Sequence, residues 1–387
     1  MLEPNRLFPK RHQSTLPCYM GDQLIQGDMR PAGLYFIKIH KCASTTSATI
    51  ATNIARRHAL KRNESICRVT KNGFFFKNDR NACKVAFAHN HASEIPYLKK
   101  RSKSKTLLWT FIRDPTSRFI SWFYHVEVSR EGKSERELVS QAKIARSDFM
   151  YEFTQLDRRT RIRHYDRESL NMSHRLNVTN EMIQAVLDQY DFIGLTERFH
   201  ESSVVMKILW GLDFGNLLYM NSKRSGSESD SFDNKCVKLR KSNVSSTEQL
   251  YFQSSHWKSK VKGDEMFHAA VNRSLDLTIN RVIGKKFFDV QLSAYENLLK
   301  RAQDHCMPST IFPCDKSKNI TRRLRRIDHR PSFKKVANHH KFDVGTNSTE
   351  EKIQMDTDMY GPCKPCYLRD IGCGFKCLDD FYARESF

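Results

Sequence analysis

The sequence predicts an α/β protein built on a parallel sheet with helices packed on its faces. Short apolar runs of strand length recur along the N-terminal half of the chain. Segments with apolar residues at helical spacing lie between these runs, and such alternation is typical of parallel sheets. With 387 residues, of which 39% are hydrophobic, the chain is long enough to bury a substantial core.

Four apolar runs are the predicted strands. The first two cover Leu34–Ile39 and Val85–Ala88, and the second leads directly into a His-Asn-His triplet. The third covers Thr106–Ile112 and ends before Pro115, which lacks the N–H that a strand ladder needs. The fourth covers Asp191–Leu195. Each run is almost entirely apolar, which is typical of strands buried on both faces of a parallel sheet.

Helices are predicted between and after these strands. Pro115 suits the first turn of a helix, and Phe119, Trp122, Phe123 and Val126 follow it at helical spacing. The other predicted segments are helices over Ser47–His58, Asn180–Tyr190 and Arg198–Leu212, a polar loop over Asn221–Ser246 and a mostly helical region over Thr247–Gln303.

The composition divides the chain into three parts. Residues 1–30 are a polar lead-in, 31–304 are predicted to form the main domain, and 305–387 form a basic, Cys-rich extension. Within the extension, 316–341 holds ten Lys and Arg residues against one acid. Four Cys residues near the end allow either two disulfides or a four-thiolate zinc site, and we favour the disulfides. They are Cys363, Cys366, Cys373 and Cys377.

Charge and cysteine content restrict the partner and the compartment. The formal net charge of +22 predicts an anionic partner, such as nucleic acid, an anionic glycan, a phospholipid surface or a phosphorylated ligand. Eleven Cys residues and an excess of N-x-S/T sequons favour an oxidising, glycosylating lumen. The odd Cys count leaves at least one thiol outside intrachain disulfides. The sequons are at Asn63, Asn171, Asn177, Asn243, Asn272, Asn319 and Asn347.

The sequence contains no evident membrane span or signal peptide. No stretch approaches the ~18 uninterrupted apolar residues that a spanning helix needs. Met1–Lys10 has no apolar segment of the signal-peptide type. We therefore expect any membrane attachment to depend on an anchor that this chain lacks.

The segment His40–Thr46 (HKCASTT) follows the first predicted strand and precedes a helix. A helix N-terminus has backbone N–H groups without intrahelical partners and a positive dipole end, and both favour an anion. Lys41 adds a positive charge, and Ser44, Thr45 and Thr46 add hydroxyl donors. The Walker A pattern GxxxxGK[ST] is absent. The segment is therefore a candidate phosphate loop of another kind, and a capped helix with an incidental Lys is the simpler alternative.

A second candidate anion site follows the third predicted strand. Arg113, Asp114 and Pro115 come directly after that strand, with Arg118 and Ser121 in the helix beyond. The carboxyl ends of parallel strands meet at one edge of a sheet, so this unit and the HKCASTT loop are predicted to face one crevice. Two anion sites on one crevice favour a ligand with two phosphate groups. An Arg–Asp surface pair next to a helix that begins at Pro115 is the simpler alternative.

Three segments of the chain resemble, in order, the motifs of one enzyme family. They are YFIKIHKCASTTSATI, WTFIRDPTSRFISWFYH and YDFIGLTERFHESSVVM, within roughly residues 33–212. The family is that of the Golgi carbohydrate sulfotransferases, particularly the uronyl/hexuronic 2-O- and galactose 3-O-sulfotransferases. The resemblance implies a P-loop-like α/β fold and the donor 3′-phosphoadenosine 5′-phosphosulfate. It also implies a glycan acceptor, no metal, and a location in the Golgi lumen or at the Golgi membrane.

The resemblance implies roles for individual residues. Lys41 matches the catalytic lysine, which would neutralise charge on the leaving phosphate. Arg113 and Ser121 match the residues that hold the 3′-phosphate of the donor. Cys42 stands where Thr is common in relatives, and we expect it to stay a thiol because a disulfide there would obstruct the donor. The 5′-phosphosulfate loop comprises Lys41, Cys42, Ala43, Ser44, Thr45 and Thr46.

A His pair is the candidate general base for the acceptor hydroxyl. A His with a pKa near ~6.5 suits proton abstraction, and His89 and His91 follow the second predicted strand. The 2-O-sulfotransferases have a His-x-His base at this place, so the resemblance implies His91 as the base and His89 as its support. Glu94 is the alternative base, and a purely structural role for the His pair is a further alternative.

Two other classes of function are alternatives to a sulfotransferase. A kinase-like phosphotransferase would need the absent Walker pattern. A non-catalytic glycan-binding protein of the same fold would be expected to lose Lys41, Arg113 or the His pair, and all are present. Nucleic acid is disfavoured because the basic run 316–341 has few interleaved aromatic residues. The charge of +22 favours an acidic glycan as the acceptor.

Overall fold

The predicted parallel α/β sheet is confirmed by a computed structural model, which describes residues 33–61, 66–68, 85–90, 106–144, 178–221, 230–232, 235–310 and 374–385. The strands of its main sheet are β1 (Gly33–Ile37), β2 (Ile66–Arg68), β3 (Val85–Asn90), β4 (Thr106–Ile112) and β5 (Phe192–Leu195). Their order across the sheet is β2-β3-β1-β4-β5, and every neighbouring pair is parallel.

Helices join and cover the strands. None of the described helices is long and apolar enough to cross a membrane. Two π-helical turns, Phe123–Val128 and Thr278–Ile283, extend the second and seventh α-helices. The α-helices are α1 (Ser44–Lys61), α2 (Pro115–Trp122), α3 (Leu138–Ile144), α4 (Asn180–Leu187), α5 (Phe199–Leu209), α6 (Ser246–Gln253), α7 (Ser255–Leu277), α8 (Lys285–Cys306) and α9 (Phe375–Glu385).

The predicted elements are present with small shifts, and two features of the sheets were missed. The strand β4 has its predicted bounds, whereas α1 begins at Ser44 and not at Ser47. The loop prediction for Asn221–Ser246 is wrong where an antiparallel hairpin forms, with strands β6 (Asp230–Phe232) and β7 (Lys235–Val237). The strand β2 was also missed. Strands of three residues are too short to produce a period in the sequence.

The strand order locates a crevice at the carboxyl edge of the sheet. From β1 the chain continues to β2 and β3 on one side, whereas from β4 it continues to β5 on the other side. Connections therefore leave β1 and β4 in opposite directions, although these strands are neighbours. In open parallel sheets, ligands bind at such a switch point, outside the carboxyl ends of the strands.

The apolar runs are explained by burial on both faces of the sheet. The side chains of β1 from Leu34 to Ile37 are all at most 4% exposed. In β4, Trp109 and Phe111 are completely buried, and their rings lie 6.0 Å apart in an edge arrangement. Removing such residues from water is the main free-energy gain of the fold, at roughly 25 cal/mol per Å² of apolar surface. This core holds the strand ends, and hence the crevice, in place.

The C-terminal cysteines do not pair as we expected. Cys377 on α9 forms a disulfide with Cys306 at the end of α8, with a Cα–Cα distance of 5.8 Å. Two disulfides within the set of four Cys are therefore excluded, as is a zinc site that uses all four thiolates. The pairing follows from the packing of α9 against α8, which brings the two Cα atoms within the range that a disulfide spans. The other three Cys of the set lie outside the described residues.

The helix α9 packs into the same core as the sheet. Its residues Leu378 and Phe381 are at most 7% exposed and belong to the cluster that contains β1 and β4. The division of the chain at residue 305 stays a prediction, since most of the extension lies outside the described residues.

Candidate active site

The two candidate anion sites meet at the switch point of the sheet. The HKCASTT loop follows β1, and Arg113 follows the neighbouring strand β4. The guanidinium Nη1 of Arg113 donates a hydrogen bond to the backbone oxygen of Lys41 at 3.4 Å. The two units are therefore adjacent at this edge of the sheet, and their binding of one ligand stays a prediction.

The loop after β1 has an unusual backbone for its residue types. Lys41 and Ala43 have φ angles of 65° and 51°, in the left-handed region that residues other than Gly rarely adopt. Such a conformation costs roughly 1–2 kcal/mol per residue and persists only where the surrounding structure enforces it. Backbones that enter this region turn successive N–H groups towards a common point and form anion-binding concavities. The loop therefore shares one feature with such anion-binding loops, namely left-handed backbone at Lys41 and Ala43.

Cys42 lies between these two residues and is buried. It is 1% exposed and keeps its thiol, as we predicted, and its Sγ donates to the backbone oxygen of His40 at 3.6 Å. Its backbone N–H donates to the oxygen of Ile39 at 3.4 Å. Both donors of Cys42 thus help to close the turn, so Cys42 fixes the loop from within.

The first turn of α1 presents the hydroxyl residues of the loop. Because α1 begins at Ser44, Ser44, Thr45 and Thr46 occupy the turn whose N–H groups lack intrahelical acceptors. The first turn contains no acidic residue, so nothing there opposes the positive end of the helix dipole. These three residues are partly exposed, whereas the following Ser47 is completely buried. The N-terminus of the 18-residue helix α1, which is the positive end of its dipole, therefore lies at this edge of the sheet.

Asp114 and Pro115 start the helix that carries Ser121. The Oδ1 atom of Asp114 accepts a hydrogen bond from the Ser117 N–H at 2.7 Å, and Pro115 is the first residue of α2. Ser121 lies partly buried in the last turn of α2. The Asp114 carboxylate therefore caps the helix that Pro115 begins, and this helix is also part of the simpler alternative for the segment.

The candidate general bases lie at the same edge of the sheet or outside the described residues. The backbone of His89 is in register with Phe36 of β1, one residue before that strand ends. The strand β3 ends at Asn90. His91 and Glu94 lie outside the described residues, so the choice of base stays a prediction.

Glu197 contacts the segment from Arg113 to Ser121 that follows β4, here called the Arg113 unit. The sequence did not indicate this contact. Its Oε1 accepts the Asp114 N–H at 2.9 Å and lies 3.8 Å from Arg113 Nε, and its Oε2 lies 3.4 Å from His268 Nε2. Burial acts to raise the pKa of the Glu197 carboxyl, but hydrogen bonds from His268 and the Asp114 N–H outweigh it. The pKa therefore lies below its ordinary value, and the group is ionised at neutral pH.

Glu197 and Arg198 are adjacent in sequence, but their side chains have different partners. The side chain of Arg198 instead contacts Glu201, Asn272 at 2.8 Å and Asp276 at 2.6 Å. The cause is the helix α7, which packs against β5 and supplies partners to both residues. Because α7 lies about 70 residues beyond β5 in the sequence, no local pattern could predict these contacts.

The helix α7 also holds α2 in place. Trp257 Nε1 donates to Thr116 Oγ1 at 2.8 Å, and the Trp257 ring is 1% exposed and packs on Phe119 at a centroid distance of 5.3 Å. The Arg113 unit is therefore fixed from two sides, by β4 within the sheet and by α7 above it. Among the residues described, no group of three or more His, Cys, Asp or Glu is arranged to hold a metal ion.

Comparison with known proteins agrees with this geometry. The family model described as "Sulfotransferase family" matches residues 30–262, which is more than half of the chain. The match includes the HKCASTT loop, the Arg113 unit and Glu197. A search of curated proteins finds no match. The chain belongs to the sulfotransferase family.

Proposed function

We propose that the protein transfers a sulfuryl group from 3′-phosphoadenosine 5′-phosphosulfate to a hydroxyl of a glycan. Family membership supports sulfuryl transfer in general, and this donor is the one that the family typically uses. The observation that carries the proposal is the contact between Arg113 and the Lys41 loop across β1 and β4. It brings the two candidate anion sites next to each other, and the proposed donor has phosphate groups on both the 3′ and the 5′ side.

The proposed donor site has two halves. The 5′-phosphosulfate would bind to the loop from Lys41 to Ala43 and to the N-terminus of α1, where Ser44, Thr45 and Thr46 offer N–H and hydroxyl donors. The 3′-phosphate would bind to Arg113 and Ser121. The Arg113 side chain is 29% exposed, so a phosphate can reach its guanidinium.

The proposed reaction is an in-line displacement at sulfur. The acceptor oxygen forms a bond to sulfur while the bond from sulfur to the bridging phosphate oxygen breaks, and that oxygen keeps the electron pair. Lys41 would neutralise the charge that develops on the leaving phosphate. His91, supported by His89, would take the proton of the acceptor hydroxyl. The products are a sulfate ester and adenosine 3′,5′-bisphosphate.

The proposed acceptor is an acidic glycan, and the proposed location is the Golgi. A net charge of +22 would attract uronate or sulfated chains, and the sequons and cysteines favour a glycosylating, oxidising lumen. The disulfide between Cys306 and Cys377 supports such a compartment, as does the disulfide-bonded state of Cys236. A glycan-binding protein without catalysis is the second candidate, because the basic surface serves both functions.

Binding of adenosine 3′,5′-bisphosphate, measured by calorimetry, tests the donor. We expect tighter binding than of ADP, and we expect Arg113→Ala to weaken bisphosphate binding about 10- to 100-fold because it removes charged hydrogen bonds. Arg136→Ala, which removes an exposed Arg that belongs to neither candidate anion site, is the control for lost charge and should leave binding unchanged. Equal affinity for ADP and the bisphosphate in the wild-type protein would refute the donor.

The general base is tested by comparing alanine variants at three positions. His91→Ala should lower turnover about 100-fold and leave bisphosphate affinity within twofold, because a base acts on the acceptor and not on the donor. Turnover is measured as bisphosphate released with a panel of acidic glycans. His89→Ala should have a smaller effect. A large loss with Glu94→Ala and none with His91→Ala would assign the base to Glu94.

A further inference from the structure

We propose that Glu197 is a positioning residue, which orients the Arg113 guanidinium for the 3′-phosphate of the donor. The inference rests on the proposed function, since it presumes that Arg113 binds that phosphate. It goes further because it gives a specific task to a carboxylate that lies outside both anion motifs.

Two of the three nitrogens of the Arg113 guanidinium contact other groups of the protein, one in an ion pair and one in a hydrogen bond. Nε faces Glu197 Oε1 at 3.8 Å, and Nη1 donates to the Lys41 oxygen at 3.4 Å. Within the part of the chain that the structure describes, Nη2 is not used in these contacts, and the side chain is 29% exposed. A guanidinium fixed in this way loses less conformational freedom when an anion binds, which increases affinity.

Glu197 is itself held rigidly. The residue before it, Thr196, donates to the Ile112 oxygen from its backbone N–H at 2.8 Å and from its hydroxyl at 2.9 Å. These bonds fasten the end of β5 to the end of β4, one residue before each of the two interacting side chains. The Asp114 N–H and His268 then fix the two carboxylate oxygens of Glu197. The position of Arg113 is thus set by the sheet through Glu197.

The sign of the electrostatic effect makes the inference testable. A carboxylate 3.8 Å from Arg113 Nε repels an anion bound to the same guanidinium. If the charge of Glu197 were its main effect, removing that charge would strengthen phosphate binding. If orientation of Arg113 dominates, removing the carboxylate weakens binding, and only for ligands with a 3′-phosphate.

The test compares two nucleotides that differ in the 3′-phosphate. Dissociation constants of adenosine 3′,5′-bisphosphate and of adenosine 5′-monophosphate are measured by calorimetry. We expect Glu197→Gln to weaken bisphosphate binding about fivefold and to change monophosphate binding less than twofold. The matched control is Glu201→Gln. This substitution neutralises a carboxylate on α5 that pairs with Arg198. It should change neither constant.

A double variant tests whether Glu197 acts through Arg113. Combining Glu197→Gln with Arg113→Ala should give bisphosphate binding no weaker than Arg113→Ala alone, because residues that act as a unit are not additive. An additive loss would overturn the inference. Unchanged or stronger bisphosphate binding with Glu197→Gln would also overturn it, as would an equal loss for both nucleotides.

The outcomes separate this inference from the proposed function. If the wild-type protein does not prefer the bisphosphate, or if Arg113→Ala has no effect, the donor assignment fails and Glu197 has no such task. If the wild-type protein prefers the bisphosphate and Arg113→Ala weakens its binding, but Glu197→Gln leaves bisphosphate affinity unchanged, only the positioning inference fails. Should Glu197→Gln not fold, His268→Ala removes one partner of the same carboxylate. The inference then stands only if His268→Ala weakens bisphosphate binding and leaves monophosphate binding unchanged.

Discussion

Replacing Lys41 by Ala is expected to lower sulfuryl-transfer turnover by about 10²- to 10³-fold. As the bond to sulfur breaks, negative charge accumulates on the leaving phosphate oxygen, and an ammonium group beside it stabilises that charge more in the transition state than in the bound donor. The loop that carries Lys41 is held by backbone contacts to Ile39 and Arg113, which the substitution keeps. The fold should therefore survive, and the loss should fall on turnover.

Turnover with a panel of acidic glycans and calorimetric bisphosphate affinity are the two measurements. Bisphosphate affinity should fall much less than turnover, because a role confined to the transition state leaves ground-state binding largely intact. Lys286→Ala removes an exposed lysine on α8 and serves as the control. Turnover near the wild-type value in Lys41→Ala would exclude a catalytic role for this residue.

Replacing Asp379 by Ala is expected to lower the free energy of unfolding by about 3 kcal/mol. The Asp379 carboxylate on α9 accepts hydrogen bonds from Arg56 Nη2 and Arg57 Nη1 on α1, each at 2.7 Å. The Arg56 side chain is only 1% exposed, so loss of the carboxylate removes a counter-ion from a buried cation. Removing one partner of a buried pair typically costs 3–5 kcal/mol, and Asp379, which is 27% exposed, belongs at the lower end.

Asp380→Ala is the matched control for this effect. Asp380 is the next residue, is half exposed and pairs with Lys376 one helical turn away, an arrangement worth at most about 0.5 kcal/mol. Denaturant unfolding with the Cys306–Cys377 disulfide intact compares the two variants. Equal stabilities for the two variants would contradict the view that α9 is fastened to α1 through Arg56.

The local patterns of the sequence were sufficient to predict the sheet and the adjacency of the two candidate anion sites. Apolar runs bounded by Pro or polar residues mark β4 and, within one or two residues, the other long strands. Parallel strands end at one edge of the sheet, so the sequence alone predicts that the segments after β1 and β4 lie together. The Arg113 contact to Lys41 confirms that placement. These features follow from short-range periodicity and from general topology.

The contacts between distant elements depended on the tertiary structure. The disulfide between Cys377 and Cys306 joins residues 71 positions apart, and the hydrogen bond from Arg56 to Asp379 joins residues 323 positions apart. Glu197 meets His268 only because α7 packs across the ends of β5 and α2. Such contacts are set by the angles and distances at which whole helices pack, to which many dispersed residues contribute. A local pattern can identify the residues of a site, but the packing of the helices decides which side chains hold that site in position.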